Sequence, residues 1–116
     1  MPQIFSVYQI VIDKDLSDLI NKEGFECHVK ALAYKQAMLE GDVRIGMEHD
    51  CYTKVAEVVA DDLKHVFEVG NLGPEDRIER FAKMTSISVG NFIEDADGSR
   101  WSVMEVGFMQ IAPSLH

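Results

Sequence analysis

Two groups of side chains in this sequence belong to the types that hold metal ions: Cys27-His28 with His49-Asp50-Cys51, and the acidic run EDADGS at 94–99. Thiolate and imidazole are zinc ligands, and structural zinc sites space paired ligands by roughly two to four residues so that both meet one ion. Cys27 and His28 are adjacent and project to different sides. The pattern therefore reads as buried, apolar thiols beside surface histidines, unless the fold brings Cys27, His28, His49 and Cys51 together. In EDADGS, Glu94, Asp95, Asp97 and Ser99 carry the hard oxygens that calcium accepts. An EF-hand loop needs glycine at its sixth position, whereas Gly98 is the fourth residue counted from Asp95. Aspartate and glycine are independently what a tight turn demands, so a turn is the reading adopted.

Catalytic signatures are missing. The chain has no G-x-S-x-G elbow, P-loop, G-x-G-x-x-G or H-E-x-x-H. His65 stands beside Asp61, Asp62 and Glu68 on a helical stretch and reads as part of a solvated face. Tyr8, Tyr34, Tyr52 and Trp101 are candidates to line a groove, although single aromatics in so short a chain usually belong to core or rim. No residue is assigned a catalytic, cofactor-binding or metal-binding role, and no cofactor is expected.

The elements that position these side chains follow from periodicity. QIFSVYQIVI, 3–12, has Ile4, Tyr8, Ile10 and Ile12 on one face and Phe5, Val7 and Val11 on the other, the pattern of a central strand. Asp13, Asp15 and Ser17 offer caps for a short helix that Gly24 ends, and a second helix is predicted over 26–40, closed by Gly41. GDVRIGMEHD, 41–50, reads as a loop. Thr53, Val55, Val58 and Val59 favour a strand over 51–59, and Asp61 or Asp62 caps a helix over 61–70, with Asn71, Gly73 and Pro74 as loop punctuation. PEDRIERFAKM resumes with a helical turn at Pro74. Ile87, Val89 and Ile93 alternate before Asp97-Gly98, and Trp101 and Val103 after it, which predicts a C-terminal β-hairpin. The expectation is one globular domain, 1–116, of α+β class: a single antiparallel or mixed sheet of about four strands with helices packed on one face.

Composition limits the function classes. The 116 residues hold 47% apolar and 27% charged side chains, the balance of a folding domain. Twenty acidic against eleven basic residues give a net charge of -9, and the basic ones are scattered singly, so direct nucleic-acid binding is not expected. An acidic surface instead suits a basic protein partner or imitates nucleic acid toward a host enzyme. Cys27 and Cys51 are read as reduced thiols. The N-terminal apolar run is too short to span a bilayer and lacks a basic leader, so a cytoplasmic location without membrane attachment is expected.

One stretch carries a lineage. The run S-I-S-V-G-N-F-I-E-D-x-D-G-x-x-W-x-V-x-x-V-G-F-x-x-I, Ser86 to Ile111, resembles the C-terminal motif of YodL-like and related small proteins of phages, plasmids and conjugative elements. KVAEVVADDLKHVFEVGN resembles the strand and helix that precede it. Asn91 stands where that pattern more often has aspartate, and 13–50 has no counterpart in it. The resemblance implies a mobile-element setting and no established activity; some relatives sit near antirestriction genes, which implies an accessory or inhibitory role. Physically, Gly90 and Gly107 are expected to kink the two strands of the hairpin. The reading is a small, non-enzymatic accessory or protein-binding domain with an unidentified protein partner and a tendency to self-associate. An acidic inhibitor or nucleic-acid mimic is the alternative, and a small enzyme or metal-binding protein the second.

Overall fold

The computed structural model describes residues 2–111. It contains six strands, β1 (Gln3–Gln9), β2 (Thr53–Ala60), β3 (Ile78–Arg80), β4 (Phe92–Glu94), β5 (Arg100–Val103) and β6 (Phe108–Ile111). Four helices accompany them, α1 (Lys14–Glu23), α2 (Val29–Glu40), α3 (Arg44–Glu48) and α4 (Leu63–Leu72). The strands form one antiparallel sheet in the order β3-β2-β1-β4-β5-β6. The fold is α+β, and the sheet has six strands where about four were expected. No helix of the described residues is long and apolar enough to cross a membrane.

Helix boundaries follow the caps. The Asp13 carboxylate accepts from the Leu16 N–H at 2.8 Å, and Asp62 does the same for His65 at 2.8 Å, each satisfying a donor that a helix start leaves free. Gly41 ends α2 in the left-handed region, φ 69. The register of β1 with β2 and β4 puts Phe5, Val7, Val58, Ile93 and Val103 on one face. There they pack with Val66 and Val69 of α4 and with Ile87. A second cluster joins Ile10, Ala33, Ala37 and Cys51 at the far end of the strands.

Several expectations are corrected. A helical turn forms after Pro74 as predicted, the 3-10 turn Glu75–Arg77, but it is followed by an unforeseen strand: β3 pairs with β2, Ile78 opposite Val58. Pairing there satisfies backbone groups of β2 and turns Ile78 onto the core, which a continued helix would not do. The predicted loop at 41–50 contains α3, because packing of Gly46 against Tyr52 and Ile10 overrides glycine's weak helix propensity. The C-terminal hairpin is a three-stranded meander: β4 and β5 meet around Asp97-Gly98 as predicted, but 84–91 is irregular and β6 adds a third strand. Gly107, φ 74, sits in the β5–β6 turn and does not kink a strand. Helices also reach both faces. Besides α4, the α2–α3 region meets the opposite one, where Tyr52 lies edge-on to Phe92 at 4.8 Å and Gly41 abuts Met104.

Candidate functional surface

The acidic tip is occupied by its own turn. One Asp95 carboxylate oxygen accepts the N–H of Asp97 at 2.9 Å and of Ser99 at 3.0 Å, and the other accepts the Trp101 indole N–H at 3.1 Å. Both oxygens of the group best placed for a cation are therefore turned inward to hold the β4–β5 connection. Asp95→Ala is expected to cost about 2 kcal/mol by releasing three hydrogen bonds to a charged acceptor, and Asp95→Asn less than half of that; chemical denaturation checks both.

The cysteine and histidine pairs do not converge. His28 caps α2, its Nδ1 accepting the Lys30 N–H at 3.0 Å, while Cys51 is buried and donates weakly to the His49 carbonyl at 3.7 Å. Burial pushes the Cys51 thiol up, away from the reactive thiolate. Among the described residues, no three or more His, Cys, Asp or Glu side chains are grouped to hold an ion. His65 likewise serves the start of α4: its Nδ1 accepts the Asp61 N–H at 3.0 Å. It borders an open cleft of about 510 Å³ shared with Glu68, Leu72 and Arg77.

The four aromatics do not share a groove. Tyr8 stacks on Phe92 at 4.4 Å, and Tyr52 donates its hydroxyl to the Gly90 carbonyl at 2.6 Å, while burial raises its ionisation far above the usual range. Trp101, paired with Ile93 in register, lies on the other face, and Tyr34 stacks with Phe25 at 6.5 Å.

The conspicuous 84–91 stretch is held by two side-chain amides, Gln9 and Asn71, whose bonding role was not anticipated. Gln9 Nε2 donates to the Thr85 carbonyl at 2.9 Å and to Asn91 Oδ1 at 3.2 Å, and its Oε1 accepts the Thr85 N–H at 3.0 Å. Asn71 does the same for Ile87, accepting its N–H at 2.7 Å and donating to its carbonyl at 3.2 Å. Each amide replaces a missing neighbouring strand. Gly70 leaves the space that the Ile87 side chain fills. The signal for Gln9 was its polarity between Val7 and Val11 on an otherwise apolar face.

What remains outside this framework is a stretch of sheet. On the face opposite α4, the helices cover Phe92 and Ser102 but leave β1, β2 and β3 open, with Ile4 56% and Phe81 51% exposed. Ile4 pairs with Val59, itself exposed, and Glu57 faces Ser6 on one side and Glu79 on the other. Lys54 reaches Glu57 at 3.3 Å and lies 5.5 Å over the Phe81 ring. Among the described residues Glu79 has no ion-pair partner, although a like charge stands directly opposite, an arrangement that costs stability in an isolated sheet. Compared with known protein families, curated proteins and solved structures, the chain matches none of them.

Proposed function

We propose that this chain is a small, non-enzymatic protein-binding domain of a phage or other mobile element, and that it binds through the open β1–β2–β3 surface. The observation that carries the reading is that surface itself: Ile4, Val59 and Phe81 exposed around the opposed carboxylates of Glu57 and Glu79. Exposed apolar side chains gathered on one face and edged by charge are characteristic of interaction sites. The partner's chemistry follows from these carboxylates: Lys54 engages Glu57 at 3.3 Å, and Glu79, without an ion-pair partner among the described residues, calls for a lysine or arginine from outside. The partner is therefore a protein segment with a basic side chain beside an apolar one. The mobile-element setting rests on the Ser86–Ile111 motif, and neighbouring antirestriction, replication or virion genes would support it.

A nucleic-acid mimic needs its carboxylates gathered on one face. Here they are dispersed, with Asp15, Asp18 and Glu23 on α1, Glu75 and Asp76 before β3, and Asp95 and Asp97 at the β4–β5 tip. That spread counts against the inhibitor reading.

The test is a comparative capture from an extract of the source cells. Ile4→Asp with Val59→Asp and, separately, Glu57→Lys with Glu79→Lys are expected to lose a partner that the unaltered chain and the control Leu72→Asp both retain. Ile4, Val59 and Glu79 are exposed and Glu57 is half-buried, so stability should change by no more than about 1 kcal/mol per substitution, the opposed like charges included. Equal retention by all variants contradicts the reading. So does a reproducible turnover abolished by a point substitution in the cleft beside His65.

A further inference from the structure

The two edges of the sheet are protected unequally. β3 is three residues long and carries Glu79 and Arg80, features that discourage pairing with another chain. β6, Phe108-Met109-Gln110-Ile111, contains no charge and no proline. Among the described residues it ends the sheet, and no further strand pairs with its outer side.

The direction of its backbone groups follows from β5. Val103 donates its N–H to the Asn91 carbonyl at 3.0 Å and accepts the Gly90 N–H at 3.3 Å, so its polar groups face β4. Phe108, opposite Val103, therefore turns its N–H and C=O away from β5. Alternation puts Trp101 in the same phase as Val103, and Gln110, opposite Trp101, also faces outward. Met109 faces inward, its carbonyl accepting the Ser102 hydroxyl at 3.2 Å. The outer edge thus presents two donors and two acceptors from Phe108 and Gln110. Beside it runs a cleft of about 540 Å³ lined by Met104, Met109 and Ile111 and, on the far wall, by Glu40, Asp42 and Arg44, with Met109 54% exposed.

We propose that β6 pairs antiparallel with β6 of a second copy of this chain, joining the two sheets edge to edge across a two-fold axis. The edge is self-complementary. When Phe108 faces Gln110 of the second copy, Met109 faces its own equivalent, and all four outward groups of each strand are paired. Charge permits the same edge: two chains of net charge -9 repel, but β6 itself carries no charged side chain, and Asp42 beside it is neutralised by Arg44 at 2.8 Å. The opposed Met109 side chains add apolar contact above the cleft. This surface lies at the opposite edge of the sheet from β3, so pairing leaves the β1–β2–β3 surface free.

Four-residue strands bury less than the roughly 1,200 Å² of a stable interface, so the dimer dissociates in the micromolar range. Sedimentation velocity from about 5 to about 200 µM is the test, with concentrations chosen to bracket that affinity. The unaltered chain should shift from monomer to dimer across the series. Gln110→Pro removes an outward N–H, which an edge strand tolerates, and Met109→Lys sets two like charges against each other at the axis. Each is expected to raise the dissociation constant at least about tenfold with an unchanged far-ultraviolet dichroism spectrum. If Gln110→Pro alters the spectrum, Met109→Lys decides. A chain monomeric at the highest concentration overturns the proposal, as does a folded Met109→Lys that dimerises like the unaltered chain.

Discussion

Asn71→Leu is expected to destabilise the fold by about 3 kcal/mol, more than any exposed substitution, because it strips the backbone of buried Ile87 of both its partners. Ile87 is 2% exposed, and its N–H and C=O meet no strand and, once Asn71 is gone, no other group in reach. A lone buried amide group costs roughly 1–3 kcal/mol, and here there are two. Leucine preserves the bulk of asparagine and slightly favours the helix, so the loss reports the hydrogen bonds and not a cavity. Gln9→Leu should cost less, about 2 kcal/mol, since Thr85 is exposed and water can replace part of what the amide supplied. Denaturant midpoints for the two variants check the order as well as the sizes.

Gly90→Ala is the second large effect, at least about 3 kcal/mol, from two causes that add. The residue has φ 93, a conformation that an L side chain adopts only at a cost of roughly 1–2 kcal/mol. An added Cβ would also lie 2.6–2.9 Å from the backbone of Ala37 and Met38 in α2. Helix backbone cannot step aside as a side-chain tip can, so α2 would have to shift and the Tyr52 bond to the Gly90 carbonyl would be disturbed. Gly98 supplies the control. Its φ is 86 but nothing lies within 4 Å of the added carbon, so Gly98→Ala should lose only about 1 kcal/mol. Equal losses at the two glycines would show that strain alone acts and that α2 does not press on the 84–91 stretch.

How much could be read beforehand divides along the range of the interactions. β1, β2 and α4 were legible because alternation and capping are local: Phe5 and Val7 alternate, and Asp62 caps the helix one residue before it starts. The hairpin tip was legible for the same reason, from Asp97-Gly98. β3 was not foreseen because Pro74 signals only a helix start, and it is the vacant edge of β2 that turns the residues after that single turn into a strand. β6 was missed because FMQI does not alternate clearly; its pairing is fixed by the turn at Gly107. Asn71 looked like a helix stop, and its bonds to Ile87, sixteen residues on, leave no local trace. The candidate surface was illegible for a related reason: exposure of Ile4 and Val59 depends on α2 and α3 covering the other half of that face.

Residues 84–91 form a strap held by Gln9 and Asn71, and the open β1–β2–β3 surface is the binding site proposed for this molecule. Methyl NMR on the chain with its captured partner tests that assignment most directly. The expected result is that the methyl resonances of Ile4 and Val59 shift on titration while those of Ile87, Leu39 and Leu72 stay in place. Shifts confined to Leu72 or Leu39, or none at Ile4 and Val59 in the presence of a bound partner, would contradict it.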